Sequence, residues 1–179
     1  MPEVARLNEP QSPYDRLIRP IETRMMATIV RIVGDGEDAC DVFQEVLVSV
    51  WARMARITAH SNPHGYILRI CVTRAYDVLR KRARRREVAM SGQMESRSAE
   101  DVPEVDHLPA RVRHALGRLP GKQAQAVLLK LFDDAPYETI AEALGCSQAT
   151  ARSHVSKGLQ RLRSDPELML SLQDKGHLR

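Results

Sequence analysis

Residues 136–163 read PYETIAEALGCSQATARSHVSKGLQRLR. Pro136 suits the first turn of a helix, where its missing N–H costs nothing. Apolar residues then recur at helical spacing until Gly145, which supplies a left-handed stop. Ser147 is a good N-cap for a second helix. The stretch therefore predicts two short helices joined by a tight turn, as in a helix-turn-helix.

The second of these helices has one apolar side and one basic side. Ala151, Val155, Leu159 and Leu162 recur at steps of four, four and three, which predicts a buried face. No acidic residue occurs in Gln148–Arg163. A basic second helix after a tight turn fits the major groove of DNA. The alternative interpretation is an ordinary helical hairpin inside an all-α core.

Composition and charge favour a helical protein with an uneven charge distribution. The 179 residues allow one domain or two small ones, and 43% of them are hydrophobic while 4% are aromatic. The net charge is +4. Residues 80–86 hold six cations in seven positions, whereas residues 95–106 carry five acids and one arginine. Such clustering indicates more about partners than the net charge does.

The cysteine and hydrophobic patterns indicate neither a metal site nor a membrane span. Cys40, Cys71 and Cys146 are far apart and form no Cys-x-x-Cys or Cys/His cluster, so we expect buried, reduced thiols. We predict no metal ion, no cofactor and no small-molecule substrate. No segment approaches about 18 uninterrupted apolar residues, and the N-terminal stretch lacks the apolar region of a signal peptide. We therefore expect a soluble, cytoplasmic protein without direct insertion into a membrane.

The chain divides by pattern into two small helical domains, so the predicted fold class is all-α. Residues 1–88 are predicted as the first domain, residues 89–107 as a flexible acidic linker, and residues 108–179 as the second domain with the helix-turn-helix. Within the first domain, one amphipathic helix is predicted from about residue 14 to residue 33. A second is predicted over 37–55, and a third from Pro63 to about Arg86.

The second predicted helix carries an acidic face. Asp38, Asp41 and Glu45 are spaced three and four apart, and Gln44 lies beside them. The apolar residues at steps of four, which should be buried on the opposite side, are Phe43, Leu47 and Trp51. Taken alone, the acidic face is that of a solvated amphipathic helix. A catalytic carboxylate pair is disfavoured, because no partner nucleophile or metal-ligating His lies at matching spacing.

The order of motifs resembles that of a bacterial RNA polymerase sigma factor of the extracytoplasmic-function (ECF, group IV) type in the sigma-70 family. The family pattern D-x-x-Q-E-x-f-x-x-x-W matches residues 41–51, with Leu47 where Phe is common. The pattern W-L-x-x-I-a-x-N-x-x-x-D-x-x-R matches residues 66–80, with Tyr66 for Trp and Thr73 for Asn. The C-terminal family patterns match residues 119–129 and 139–154. The resemblance covers nearly the whole chain.

The resemblance implies that the chain binds core RNA polymerase and promoter DNA. In the family, the helix at 41–51 docks on the clamp coiled coil of the largest polymerase subunit, and the second domain meets the flap. The residues this implies for polymerase binding are Asp38, Asp41, Gln44 and Glu45. It also suggests control by an anti-sigma factor.

The resemblance further implies that the long third helix reads and melts the −10 promoter element. A protein that melts DNA must hold flipped bases and a single strand. The residues expected at the −10 element are Thr73, Arg74, Asp77, Arg80, Lys81, Arg84 and Arg85. The alternative for the arginine-rich segment is a solvated helix end favoured by the dipole.

The second helix of the helix-turn-helix would lie in the −35 major groove. The residues expected there are Arg152, Ser153, His154, Ser156 and Lys157. The leading hypothesis is thus a transcription-initiation factor, which is not an enzyme. The alternative is a stand-alone helix-turn-helix repressor or activator, which would normally dimerise to read two half-sites.

Overall fold

The computed structural model describes residues 12–91 and 109–170, and all regular secondary structure within them is helical. The first domain contains α1 (Pro13–Leu17), a 3-10 turn (Arg19–Ile21), α2 (Glu22–Val33), α3 (Glu37–Trp51), α4 (Met54–Thr58) and α5 (Pro63–Ser91). The second contains α6 (Ala110–Arg118), α7 (Gly121–Asp133), α8 (Tyr137–Leu144) and α9 (Gln148–Arg163). The all-α, two-domain prediction is confirmed. The domain boundaries themselves stay predictions.

The helical segment at the start of the first domain is interrupted where its hydrophobic period predicts one continuous helix. The apolar series from Ile18 to Val33 is buried, as expected. The single helix expected there is instead three pieces, because Pro20 has no N–H to continue an α-helical ladder and a 3-10 turn replaces it. Helix α2 then ends at Gly34, whose φ of +92° suits glycine.

Helix α3 buries a different face from the one predicted. Its buried side consists of Ala39, Val42, Val46, Ser49 and Val50. Trp51, expected inside, is 66% exposed, and Phe43 and Leu47 are only partly buried. A step of four overshoots the helical period of 3.6 residues, so the two steps from Phe43 to Trp51 rotate the last residue away from the first. The helix also ends at Trp51, and the segment expected to continue it forms the separate helix α4.

Helix α5 is the central element of the fold. It begins at Pro63 and continues to Ser91, so residues 89–91, expected in the linker, belong to the helix. Residues 92–108, the rest of the predicted linker, lie outside the described residues. Ile67, Ala75 and Leu79 are buried as predicted, whereas Ile70 and Val78 are only partly buried. Helices α2, α3, α6 and α7 all pack on α5.

The helix-turn-helix is built by the local signals that predict it. Gly145 has the left-handed φ of +60°, and the Ser147 hydroxyl accepts a hydrogen bond from the Thr150 N–H at 3.2 Å. Pro136 is the N-cap of α8 rather than its first residue. Ala151, Val155 and Leu162 are buried on α9, as expected, whereas Leu159 is only partly buried.

The two domains share one hydrophobic core. The buried Tyr76 hydroxyl on α5 donates a hydrogen bond to the Leu119 carbonyl oxygen at 2.7 Å. Gly117 on α6 lies so close to α5 that a Cβ there would be 2.6 Å from the Leu79 carbonyl oxygen and 3.0 Å from the Ala83 Cβ. The second domain is therefore docked on the helix that completes the first.

The cysteines differ in exposure, although all three are free. Cys71 is buried, and burial raises its pKa to about 12. Cys40, expected to be buried, is exposed because it lies on the solvent side of α3. None of the helices in the described ranges 12–91 and 109–170 is long and apolar enough to cross a membrane.

We expect Gly158→Ala to lower the free energy of unfolding by about 1–2 kcal/mol. A Cβ at Gly158 on α9 would lie 2.6 Å from the Val127 Cγ2 on α7, so the two helices would have to separate. The gain in helix propensity, about 1 kcal/mol, offsets only part of this strain. Urea denaturation of the full chain measures the effect.

The matched control for this variant is Gly121→Ala at the start of α7. Its new Cβ would lie 3.7 Å from the Tyr76 ring, an ordinary contact. We expect no loss of stability there. Equal destabilisation by both variants would contradict the close α7–α9 contact as the cause.

Candidate nucleic-acid and protein interfaces

The exposed side of α3 combines acidic, amide and apolar groups. Asp41, Gln44 and Glu45 are exposed, and so are Val48, at 70%, and Trp51, at 66%. These five residues, spaced along one side of the helix, form what we call the α3 face. Three of them were expected as polymerase-binding residues. Val48 and Trp51 were not among the expected polymerase-binding residues, and Trp51 was expected to be buried in the core.

Asp38, the fourth residue of the predicted polymerase-binding set, is engaged within the chain. It is exposed, and its carboxylate accepts a hydrogen bond from Arg82 Nη2 on α5. Arg82 Nη1 also donates to the Val33 carbonyl oxygen at 2.6 Å. Arg82 therefore ties α5 to the end of α2 and the start of α3. Asp38 contributes to holding this junction as well as to the surface charge.

The predicted −10 residues lie along one side of α5, as a helical period requires. Arg80, Lys81, Arg84 and Arg85 are exposed. The other three are partly buried. The α5 stripe, as we name this set, consists of Thr73, Arg74, Asp77, Arg80, Lys81, Arg84 and Arg85.

Two members of the α5 stripe make intramolecular hydrogen bonds. The Thr73 hydroxyl donates to the Arg69 carbonyl oxygen one turn earlier, at 2.9 Å. Arg74 Nη2 donates to the hydroxyl of Ser49 on α3 at 3.0 Å. Arg74 also lines the same open depression as Asp41, Gln44, Glu45 and Val48. The α3 face and the α5 stripe therefore meet at Arg74.

A hollow beside the α5 stripe contains residues that the sequence reasoning did not select. Tyr66 stands two turns before Thr73, and Arg69 one turn before it, on the same side of α5. The Arg69 guanidinium lies 4.5 Å from the centroid of the Tyr66 ring. Burial lowers the pKa of Arg69, and Glu142 partly counteracts this. The spacing of residues 66, 69 and 73 was the available signal. The α5 hollow is lined by Arg53, Tyr66, Arg69, Ile70, Thr73, Arg74 and Ala143.

An aromatic ring and an arginine, together with an open hollow, suit a flipped base and its phosphate. Aromatic faces stack on bases of any sequence, and arginine pairs with phosphate. The flipped-base function remains a prediction. None of the described His, Cys, Asp and Glu residues form a group of three or more that could hold a metal ion.

The predicted −35 residues all lie on α9. Arg152, Ser156 and Lys157 are exposed, and Ser153 and His154 are partly buried. The side chains of Arg152, Ser156 and Lys157 are therefore the most accessible of this set. The turn that precedes α9 is fixed by the Ser147 cap, which sets where these side chains begin.

Arg152 is oriented by an aromatic contact within the domain. Its guanidinium lies 5.2 Å from the centroid of the Tyr137 ring at the start of α8. The Lys130 ammonium lies 5.5 Å from the same centroid. Such cation–π contacts contribute about 0.5–1 kcal/mol at exposed sites. Tyr137 thereby limits the conformations of Arg152 before any ligand binds.

Two family models match the chain in the order of these surfaces. The model described as Sigma-70 region 2 matches residues 17–85, which carry the α3 face and the α5 stripe. The model described as Sigma-70, region 4 matches residues 109–162, which carry the helix-turn-helix. The chain belongs to the sigma-70 family. Sigma factors are transcription-initiation subunits rather than enzymes.

Curated relatives of this sigma-70 chain are RNA polymerase sigma factors, several of them named as ECF factors. It is 31% identical over 155 residues to the ECF RNA polymerase sigma factor SigE of Mycolicibacterium smegmatis, with 84% of this chain and 60% of that protein covered. It is 27% identical over 154 residues to the RNA polymerase sigma-E factor of Streptomyces avermitilis, with 86% and 85% covered. The chain thus spans less than two thirds of the first relative and most of the second.

The fold is that of a solved sigma factor. A co-crystal structure of the sigma factor RpoE with the anti-sigma factor NepR, from Bartonella quintana, superposes with a TM-score of 0.56 and 23% identity. The match covers 84% of this chain and 94% of that one. At this identity the comparison supports the fold alone.

We expect Trp51→Ala to change the free energy of unfolding by less than about 0.5 kcal/mol, because the indole is mostly exposed. Val46→Ala, on the buried side of the same helix, should cost about 2 kcal/mol. Chemical denaturation of both variants measures the difference. A loss for Trp51→Ala as large as that for Val46→Ala would place the indole in the core, as the spacing of residues 43, 47 and 51 predicts.

Proposed function

We propose that this chain is a transcription-initiation factor that binds core RNA polymerase and directs it to promoters with −35 and −10 elements. The observation that carries the proposal is the placement of three surfaces. An acidic and apolar helix face, a cationic stripe beside it and a basic recognition helix occur on one chain that matches both sigma-70 regions. A stand-alone repressor needs only the third of these.

The α3 face is the proposed polymerase-binding surface. Its carboxylates, Asp41 and Glu45, complement a basic partner such as the clamp coiled coil, and Gln44 adds a donor and an acceptor. Val48 and Trp51 supply exposed apolar area at the same place. Large exposed aromatic residues are frequent centres of binding energy in protein interfaces. Asp38 and the second domain's contact with the polymerase flap complete the proposed interface.

The α5 stripe and the α5 hollow are the proposed −10 site. The exposed cations Arg80, Lys81, Arg84 and Arg85 would hold the phosphates of a single strand. Thr73, Arg74 and Asp77 are less exposed and stand beside the hollow, where a flipped base would be read. Capturing unstacked bases in this way shifts the duplex toward the melted state.

Helix α9 is the proposed −35 reader. Arg152 and Lys157 are exposed and would donate hydrogen bonds to base edges and phosphates in the major groove. Ser153, His154 and Ser156 line the same helix and would fix its position. An anti-sigma factor that covers these surfaces is part of the proposal. It is supported by the fold that the chain shares with the RpoE–NepR structure.

Run-off transcription with purified core polymerase from the native host tests the proposal. On genomic fragments that include the gene's own upstream region, we expect transcripts that depend on this protein and start a fixed distance from a shared −35/−10 pair. Asp41→Lys should abolish them, because it places a cation against a basic partner. Asp15→Lys, the same charge change on α1, should retain them.

Trp51→Ala separates polymerase binding from folding. Because its stability is expected to be unaffected, a loss of core binding of at least about tenfold in pull-down titration would assign the indole to the interface. No transcript and no core binding, together with a duplex footprint by the protein alone, would overturn the proposal in favour of a stand-alone helix-turn-helix regulator.

The double variant Arg84→Ala/Arg85→Ala tests the α5 stripe. Each lost phosphate contact to single-stranded DNA should reduce the slope of log K against log salt concentration by about 0.7. Fluorescence anisotropy with a single-stranded oligonucleotide at several salt concentrations measures the slope. Arg82→Ala is the matched control, because Arg82 is bound to Asp38 and Val33. An unchanged slope in the double variant would contradict phosphate contact at these residues.

A further inference from the structure

The first turn of α8 is bonded to the start of α9 by two consecutive side chains. Gln148 is the first residue of α9, and its Nε2 donates a hydrogen bond to the Glu138 carboxylate on α8. One turn later on α9, the Arg152 guanidinium lies 5.2 Å from the centroid of the Tyr137 ring, also on α8. Residues 148 and 152 are four apart and therefore lie on the same side of α9. The first turn of α8 thus contacts one side of the helix proposed to read the −35 element.

The Glu138 carboxylate decides which way round the amide of Gln148 stands. A carboxylate only accepts hydrogen bonds, whereas a glutamine amide has a donating nitrogen and an accepting oxygen. The nitrogen must therefore face Glu138, because turning the amide over would bring two acceptor oxygens together. The amide nitrogen has a second N–H, and the amide oxygen points the other way, so both can serve a further partner. The half-buried Gln148 side chain is thus held in one orientation.

An amide held in this way matches the major-groove edge of adenine. Adenine presents N7 as an acceptor and its N6 amino group as a donor, and a glutamine can bond both at once. The side chain of Arg152 suits guanine instead, whose O6 and N7 both accept. In a helix-turn-helix, the residues of the second helix that contact base edges are those near its start. The −35 set predicted from the sequence begins at Arg152 and does not contain Gln148.

The stability of the helix-turn-helix does not require the bond between Glu138 and Gln148. The two helices are already joined by a buried apolar contact surface, formed by Ile140, Leu144, Ala151 and Val155. Glu138 is exposed, so its hydrogen bond competes with water and adds little to folding. An acid in the first turn of α8 also suits the helix dipole, but it would do so without bonding α9. A carboxylate beside a DNA-binding helix repels phosphates. An orienting role explains why one stands here.

We propose that Gln148 is a further base-reading residue, which recognises an adenine of the −35 element in the major groove. Glu138 is its positioning residue, because it fixes the orientation of the amide without touching DNA. This inference rests on the proposed function of α9 as the −35 reader. Gln148 and Arg152 are separated by about one helical turn, roughly 5.4 Å along α9, so they would contact different base pairs. Tyr137 limits the conformations of Arg152 as Glu138 limits those of Gln148.

Three variants and two matched controls test the inference. Gln148→Ala removes the amide, and Glu138→Ala leaves the amide free to turn over. Glu138→Gln restores an accepting oxygen beside Gln148 without the charge. The first control is Gln160→Ala, which removes an exposed glutamine about three turns later on α9. The second is Glu142→Ala, one turn after Glu138 on α8. Glu142 contacts the first domain instead of α9, because its Oε1 lies 2.6 Å from His60 Nε2.

Run-off transcription by the full chain with core polymerase measures the base preference at each −35 position. The template is a promoter found in the run-off experiment above, with its −35 element changed one base pair at a time. We expect the wild type to prefer adenine at one position by at least about fivefold. Gln148→Ala should lose this preference and keep the preferences at the other positions. Glu138→Ala should weaken it at the same position, and Glu138→Gln should restore most of it. Both controls should keep the wild-type profile.

The outcomes separate this inference from the proposed function. An unchanged profile for Gln148→Ala would overturn base reading. So would an equal loss of transcription on every −35 sequence, because the residue would then act through phosphates or stability. Equal weakening by Glu138→Ala and Glu138→Gln would overturn the positioning role, since the lost charge alone would be the cause. Far-UV circular dichroism confirms that each variant is folded. Failure of the wild type to support any transcript would instead refute the proposed function, and this inference with it.

Discussion

The packing of other helices around α5 is the constraint on which the rest of the structure depends. Helices α2 and α3 bury one part of its circumference, and α6 and α7 bury another. The 29 residues of Pro63–Ser91 must therefore be apolar toward both domains and polar only along what remains. The α5 stripe occupies that remainder. Its position is a consequence of how two domains share one helix, and the chemistry of its side chains then decides what it can bind.

Two arginines connect this helix to the rest of the first domain and so link its functional surfaces. Arg74 donates to Ser49 on α3, and Arg82 binds both the Val33 carbonyl oxygen and Asp38. Hydrogen bonds that involve a charged group are roughly twice as strong as neutral ones. The α3 face and the α5 stripe are thus held in a fixed relation. A partner docked on one would meet nucleic acid on the other without further rearrangement between these two helices.

The elements predicted well are those whose signals are local. The left-handed Gly145 and the Ser147 cap are decided by neighbouring residues, so the helix-turn-helix could be predicted from sequence. The exposure of Trp51 could not be predicted from sequence. The spacing of four between residues 43, 47 and 51 is compatible with burial of either of two adjacent faces of α3, and only the packing against other helices decides which face is buried. The break at Pro20 follows from a local signal, the missing N–H of proline, which the hydrophobic period alone does not show.

The contacts between the two domains could not be predicted from the sequence. His60 and Glu142 are 82 residues apart, and no periodicity relates them. Tyr66 and Arg69 could have been selected with Thr73 from their spacing alone. Their shared hollow, however, exists only because Arg53 and Ala143 close its sides. Local patterns thus predicted the helices and their exposed charges, whereas the enclosure of a site required the fold.

Gly158 on α9 determines how close this helix lies to α7, and so how far its outer face protrudes from the domain. A side chain is missing where α9 crosses Val127 on α7, so the two axes can approach closely. The height of Arg152 and Lys157 above the body of the domain follows from that approach. In the proposed −35 complex, the depth to which α9 enters the groove would therefore be set from behind the helix, by a buried glycine. Related chains with a larger residue there would need a shallower groove, or longer side chains on the outer face, to reach the same base edges.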